Sequence, residues 1–400
     1  MKNVYMDAAA TTPVDPRVVA AASPYFSDSY GNPSSIHGRG RDAATAVAQA
    51  RRQVASLVGA RPDNIVFTGG GTEADNNALK GVFLAAGRQK NHIITTAIEH
   101  HAVFASAEYL QGLGCEVTVV PVDSFGMVDP DDISKAITGR TVLISVMHAN
   151  NEIGSIQPVA EIGRLCREYG VYFHTDAVQT VGHLPIDVEE MGVHLLAMSA
   201  HKMNGPKGVG ALYIRDDVAC HPLLHGGAQE DNRRASTENV PGIVGFGKAA
   251  ELALELMDEE ISTQTALRKQ LVEGIGKSIP DTYLNGHPDI RLPNNVNISF
   301  DYIDGEALCL SLDSQGVYTS TGSACSSESN EPSHVLSAIG VSPVRSHSAL
   351  RFSLGRYTTS EDIDYALGIL PGIVEKLRAI SPLFGVGKVT ECHSQEDKSH

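Results

Sequence analysis

Several function classes are closed off by what this sequence lacks. Positive charge is scarce: 31 Lys and Arg stand against 47 Asp and Glu, a formal net charge of −16. A nucleic-acid binder needs a basic face to meet phosphate, and local pairs such as Arg233-Arg234 do not supply one. No uninterrupted apolar run approaches the roughly 18 residues of a membrane span. The opening MKNVYMDAAATT carries Asp7 and no apolar core long enough for a secretion signal. A soluble, cytoplasmic protein is expected, with no nucleic-acid or membrane partner. No C-x-x-C pair occurs among the scattered cysteines Cys115, Cys166, Cys220, Cys309, Cys325 and Cys392. A disulfide framework or zinc site is therefore not expected, in keeping with a reducing compartment. There is no Walker lysine, no complete G-x-G-x-x-G, no internal repeat and no low-complexity block.

What is present is an ordinary globular composition, 42% hydrophobic and 20% charged over 400 residues. That length accommodates one large domain and a smaller one. Short β-branched or apolar runs (NIVFT, HIITTA, CEVTVVPV, TVLISVMHA, VYFHTDA, VHLLAMSA) alternate with helical patterns such as PVAEIGRLCREYG. Strands separated by helical crossovers predict an α/β fold with a mostly parallel sheet covered on both faces. A long helical stretch follows Gly242, and the pattern then changes to strand NVNISF, helix GEALCLSLDSQG, helix PSHVLSAIG, strand ALRFSL and helix SEDIDYALGILPGIVEKL. The expected division is a large domain over 16–258 and a smaller α/β domain from 1–15 and 259–380. A polar tail occupies 381–400.

Chemistry-bearing residues are sought beyond the carboxyl ends of parallel strands. In FTGGGTEADN a glycine turn opens a helix, with Thr72 as expected N-cap and Glu73 in the first turn. Exposed amides at such a start suit a monophosphate, although a tight turn with an ordinary cap explains the pattern equally well. In VYFHTDAVQT, His174 and Asp176 face the same way on a strand. The spacing supplies no third ligand for a metal, whereas a buried strand-end acid needs a cation or donor. A protonated pyridine nitrogen is such a partner. In LLAMSAHKMNGPKGVG, Ser199, His201 and Lys202 end another strand. A lysine there can form an imine with an aldehyde cofactor. Lys207 is its rival in an exposed turn, and either lysine alone reads as a surface charge. Anion site, acid and lysine, in that order, point to pyridoxal 5'-phosphate. Cys325 sits in STGSACSSESNEP, a small and polar stretch over 320–332 that cannot bury it, whereas Cys115, Cys166 and Cys309 lie in core-like patterns.

Read together, YMDAAATTPVDPRV, GNPSSIHGRG, GGGTEADNNA, IEHHAV, MHANNEIGSIQP, HTDAVQTVG, SAHKMNGPKGVG, GGAQEDNRRASTENVPGIVGFG, STGSACSSESNEPSHVL and ALRFSLGRYTT cover almost the whole chain. In this order they resemble the class I (NifS- and IscS-like) cysteine desulfurases among the fold-type I pyridoxal-phosphate transferases. The resemblance implies a covalent aldimine at Lys202, Asp176 on the ring nitrogen, Gln179 on the phenolic oxygen and His100 stacked on the ring and moving protons. It assigns the phosphate to Gly71, Thr72, Ser199 and His201. Thr237 is implied to reach the other subunit's phosphate in a homodimer. Asn151 and Arg351 are implied to hold L-cysteine, Asn151 also touching the cofactor, with Asn32 as a further candidate. Cys325 is implied to take the sulfur as a persulfide, releasing L-alanine. An iron–sulfur scaffold protein then accepts it, with only a transient cluster contact at Cys325. The nitrogen-fixation type is expected ahead of the housekeeping one.

Two segments depart from the family pattern. Ser236 stands where a glycine is usual before the phosphate threonine, and DAAATT replaces Asp-Asn-Asn-Ala-Thr-Thr. The alternatives are a pyridoxal-phosphate β-lyase or selenocysteine lyase, an aminotransferase without a persulfide, and a non-catalytic assembly partner.

Overall fold

The computed structural model describes residues 2–87, 90–321 and 332–382. Cys325, with the rest of 322–331, and Cys392 lie outside the described residues. The chain divides into two compact units. The larger is Thr11–Asn150 with Ser155–Ile261, and the smaller comprises the residues up to Ala10, Asn151–Gly154 and the residues from Ser262 onward.

In the larger unit seven strands form one sheet: β2 (Ile65–Thr68), β3 (His92–Thr96), β4 (Glu116–Val120), β5 (Thr141–Ser145), β6 (Tyr172–Asp176), β7 (Leu195–Ser199) and β8 (Gly210–Ile214). Their order is β2-β8-β7-β6-β5-β3-β4, parallel throughout except that β8 runs against both neighbours. Strand β8 was not read from the sequence, because GALYI is a short run behind a glycine-rich exit that looked like a turn. Every residue of β2, β3, β5, β7 and β8 is buried, which explains their near-continuous apolar sequence. Helices pack on both faces. On one, Gly71–Ala86 brings Ala74, Ala78, Leu79 and Val82 against β2 and β7 residues, and the other holds a larger cluster around Phe67, Phe173, Met198 and Phe246. Cys115 and Cys166 fill these cores, and burial pushes their thiols up to about 11 and about 12.

Residues 11–15 belong to this unit through backbone bonds from Thr12 N to His201 O (3.0 Å) and Asp15 N to Asn204 O (3.0 Å). The helix Val240–Ser278 is 39 residues long and passes from one unit to the other at Ile261.

The smaller unit contains an antiparallel sheet, β12 (Ala349–Ser353), β10 (Asn295–Phe300) and β9 (Thr282–Leu284), and a parallel pair, β1 (Val4–Tyr5) with β11 (Val317–Tyr318). Leu271, Phe300, Leu312, Phe352 and Leu370 centre its core. Four consecutive carbonyls of Asn151–Gly154 are captured here. Arg351 Nη1 donates to Asn151 O (3.1 Å), Asn297 Nδ2 to Glu152 O (3.2 Å), Arg291 Nη2 to Ile153 O (2.9 Å) and Leu292 N to Gly154 O (2.9 Å).

Candidate active site

The carboxyl ends of β2, β3, β5, β6 and β7 lie on one edge of the sheet, and the polar segments that follow them build the site. After β2 the chain turns through Gly69 and Gly70 into the helix Gly71–Ala86. The cap differs from expectation. Gly70 (φ 158°, ψ 179°) is the N-cap and Thr72 is the second helical residue, because this backbone conformation is open essentially to glycine alone. The first amides of the helix have no acceptor within it and face a pocket of about 720 Å³. Thr11, Thr72, Ser199, His201 and Lys207 line it. A Cβ on Gly71 would lie 2.6 Å from Val178 Cγ2, so the close approach of this helix start to the segment after β6 requires glycine. His201 is kept neutral, its pKa pushed to about 4 by burial and then by Lys202 and Lys207, while its Nδ1 meets Thr11 Oγ1 at 3.1 Å. Bare amides, hydroxyls and a lysine on the rim suit a phosphate.

At the end of β6, Asp176 is 6% exposed, and one of its oxygens accepts from Val178 N at 2.9 Å. Burial raises its pKa, while His100, the Val178 amide and Lys202 oppose the rise. His100 caps the helix His101–Gln111, its Nδ1 accepting from Ala102 N at 3.1 Å. A His100 ring nitrogen and one oxygen each of Asp75 and Asp176 lie within 4.8 Å of one another. Gln179 is buried in the turn after β6. Lys202 ends the short turn Ala200–Lys202 after β7, half-buried, and its carbonyl accepts from His183 Nε2 at 2.9 Å. Lys207 is exposed and its Nζ donates to Thr12 O at 3.3 Å. A pyridinium with a phosphate arm fits these residues: amides for the phosphate, a buried acid for the ring nitrogen and a lysine at the adjacent strand end.

Asn32 and Thr237 are exposed and do not line this pocket. Thr237 follows Ser236, whose φ is 102°, a left-handed value that favours glycine. Ser236→Gly is expected to raise stability by about 1 kcal/mol through relief of that strain, read as a higher urea midpoint with an unchanged slope. The turn itself is anchored on the anion site: Arg234 Nε bonds Glu73 Oε1 at 2.8 Å, and Glu73 Oε2 accepts from Gly69 N at 2.7 Å.

In the smaller unit Arg351 is 3% exposed on β12, its Nη2 2.8 Å from Asp7 Oδ1 and its Nη1 on Asn151 O. Both flanks of the cysteine stretch are tied here. Ser320 exchanges backbone bonds with Arg351 (3.2 and 2.6 Å), and Ser333 Oγ donates to Glu152 Oε2 at 2.6 Å.

Sequence reasoning missed three acids. Asp7 was noted only as a charge near the start, yet it is Arg351's counter-ion. Asp75 interrupts the apolar stripe Ala74-Ala78-Leu79-Val82 of an amphipathic helix, and that interruption was the available signal. Glu99 gave none beyond standing before His100. It is wholly buried, accepting from Thr96 Oγ1 (2.7 Å) and Met147 N (3.0 Å), and burial raises its pKa to about 8. A carboxyl raised in the folded state binds more protons than the unfolded chain between about 4.5 and about 8. Its contribution to stability is therefore lost as pH rises through that window. Urea unfolding across the window is expected to show a decline of a few kcal/mol that Glu99→Gln flattens.

The sequence profile of the Aminotransferase class-V family matches residues 4–366. The cysteine desulfurase IscS of Dictyoglomus turgidum is 55% identical over 381 residues, 95% of this chain and 97% of the relative. That of Methanosarcina thermophila is 56% identical over 382 residues, 96% of this chain and 94% of the relative. Among solved structures, a NifS-like protein matches with a TM-score of 0.89 at 40% identity, covering 94% of this chain and all (100%) of the other. A structure of SspA in complex with cysteine matches with a TM-score of 0.80 at 37% identity, covering 89% of this chain and 100% of that one.

Proposed function

Because the chain belongs to the aminotransferase class-V family, we propose that its site binds pyridoxal 5'-phosphate and removes sulfur from L-cysteine, as a cysteine desulfurase does. One observation carries the reading: a glycine-rich helix start, the buried Asp176 and Lys202 follow β2, β6 and β7 on the same edge of one sheet. The desulfurase relatives support the reaction, and the relative solved with cysteine supports the substrate.

When bound, pyridoxal phosphate supplies an electron sink for charge developing at the substrate's α-carbon. The amides of Gly71 and Thr72, with Ser199 and His201, hold its phosphate. Asp176 would pair with the ring nitrogen and keep it protonated, Gln179 would donate to the phenolic oxygen, and His100 would pack on the ring. Lys202 would be the covalent anchor for the cofactor's aldehyde carbon, and with His100 it would move protons at the substrate. Arg351 and Asn151 take the substrate carboxylate, which would share the guanidinium with Asp7 and the Asn151 carbonyl; Asn32 contributes a further polar contact. Thr237 reaches the partner subunit's phosphate in a homodimer.

The Cys325 thiolate takes the sulfur. The substrate's carbon–sulfur bond breaks, a sulfur–sulfur bond forms, and the β-carbon gains a proton. L-cysteine and a thiol thus become L-alanine and a persulfide, with no outside oxidant. The persulfide passes to an iron–sulfur scaffold protein in the cytoplasm, of the nitrogen-fixation type, touching a nascent cluster only in transit.

Purified protein given pyridoxal phosphate, L-cysteine and a reductant is expected to make alanine and sulfide in equal amounts. Sulfide without alanine would identify a β-lyase. In a parallel assay with an added 2-oxo acid, its consumption without sulfide would identify an aminotransferase, and no product in either assay a non-catalytic partner.

A further inference from the structure

Asp75 is an acid in the wrong place for an ordinary helix residue. It is 1% exposed on the face of Gly71–Ala86 that packs against the sheet, where its neighbours are alanine, leucine and valine. One of its oxygens, Oδ1, has no hydrogen-bond partner among the described residues. His174 Nε2 lies 3.5 Å from it, itself buried and also without a hydrogen bond among the described residues. The other nitrogen of His174 meets Ser145 Oγ at 2.9 Å. Ser145, His174 and Asp75 thus form a buried row that ends beside Asp176.

The row contains no cation. Burial holds the His174 pKa down at about 3, so its ring is neutral. Asp75 and Asp176 are too close, in too dry a setting, for both to be ionised without help. The help is unequal. A His100 nitrogen lies within 4.8 Å of both acids, but Asp176 also has the Val178 amide and the favourable charge of Lys202, whereas Asp75 has no amide donor among the described residues and faces two acids, Asp176 and Glu99. One negative charge shared by the pair therefore settles on Asp176 and the proton on Asp75.

We propose that Asp75 is a positioning residue for the cofactor's ring acid: it backs Asp176 as a neutral carboxylic acid, joined to Ser145 through His174, and leaves Asp176 to carry the charge. The role in cofactor binding rests on the pyridoxal-phosphate reading above. The protonation pattern does not. A protonated Asp75 donates to His174 Nε2, which obliges Nδ1 to carry the ring hydrogen and to donate to Ser145 Oγ. An ionised Asp75 reverses both bonds, with Nε2 donating to the carboxylate and the Ser145 hydroxyl donating to Nδ1.

The test starts with cofactor-free protein at neutral pH. Nitrogen NMR of His174 is expected to find its hydrogen on Nδ1. Infrared difference spectra between Glu99→Gln and the double variant that adds Asp75→Asn are expected to contain the carbonyl stretch of one protonated acid, Glu99's own having been removed. Pyridoxal phosphate is then titrated by fluorescence. Asp75→Asn, which keeps a neutral donor of the same shape, should bind within about three-fold of wild type, and Asp75→Leu roughly ten-fold more weakly. Hydrogen on Nε2, or no acid band, overturns the proposal, as does wild-type affinity in Asp75→Leu. The NMR reading needs no variant, so a folding failure in Asp75→Leu leaves the proposal open to refutation. Wild-type protein that does not bind pyridoxal phosphate would instead refute the cofactor reading, with both spectroscopic results intact.

Discussion

Lys202→Ala is expected to reduce alanine formation from L-cysteine by at least roughly 10³-fold, because it removes both a covalent anchor and a proton carrier. The fold should survive. Lys202 is only half-buried, and the bond that fixes its turn, His183 Nε2 to the Lys202 carbonyl, involves backbone rather than side chain. The bound cofactor's visible absorbance should change to that of non-covalently held pyridoxal phosphate, which a spectrum of the purified variant reads directly. Lys207→Ala is the control. That lysine lines the phosphate pocket from an exposed turn, so its loss should weaken cofactor binding several-fold and leave the covalent link in place. A full loss of turnover in Lys207→Ala with none in Lys202→Ala would exchange the two roles.

Cys325→Ser is expected to lower sulfur release by roughly 10³-fold while the cofactor's absorbance stays unchanged. Attack on a sulfur atom needs a thiolate, and a serine hydroxyl does not ionise near neutral pH. The other described thiols are poor substitutes for it. Burial pushes those of Cys115, Cys166 and Cys220 up to about 11, 12 and 12 and raises that of Cys309, so little of any of the four is thiolate near neutral pH. Their serine variants should stay within about two-fold of wild type unless the core is disturbed. Mass spectrometry after one turnover supplies the direct reading: one added sulfur on the peptide containing Cys325, and none in the variant.

The parallel sheet was legible because its strands other than the edge strand β4 are buried and run as near-continuous apolar segments between helices. Asp176 and Lys202 were legible for a related reason, since a polar residue at the end of such a run stands where ligands gather. Strand β8 was not, because an antiparallel return through GALYI needs no helix and leaves no crossover pattern. The N-cap was misjudged by two residues, because side-chain preference favoured Thr72 while the tight approach of Gly70 and Gly71 to the segment after β6 decided the geometry. Asp75, Glu99 and Asp7 act through partners distant in sequence, His174, Met147 and Arg351. Pairings of that kind leave no local signature. Ser236 shows the converse: a departure from a family pattern, visible in one letter, coincides with a backbone angle that explains why glycine is usual there.

The captured carbonyls of Asn151–Gly154 and the pairing of β1 with β11 bear on how the gene can be cut. The smaller unit is encoded in three separated pieces, and each supplies something the others cannot. The first ten codons bring the partner strand of β11 and, in Asp7, the counter-charge of Arg351. Four codons from the middle of the reading frame bring the acceptors for Arg351, Asn297 and Arg291. A fragment beginning at Ser262 would expose the edge of β11 and leave two buried guanidinium groups short of acceptors, a severe cost for charged donors. Lys2 Nζ adds a further tie between the first piece and the last, 2.9 Å from Asp362 Oδ1. A split or circularly permuted version has to keep those fourteen residues with the C-terminal portion to remain whole.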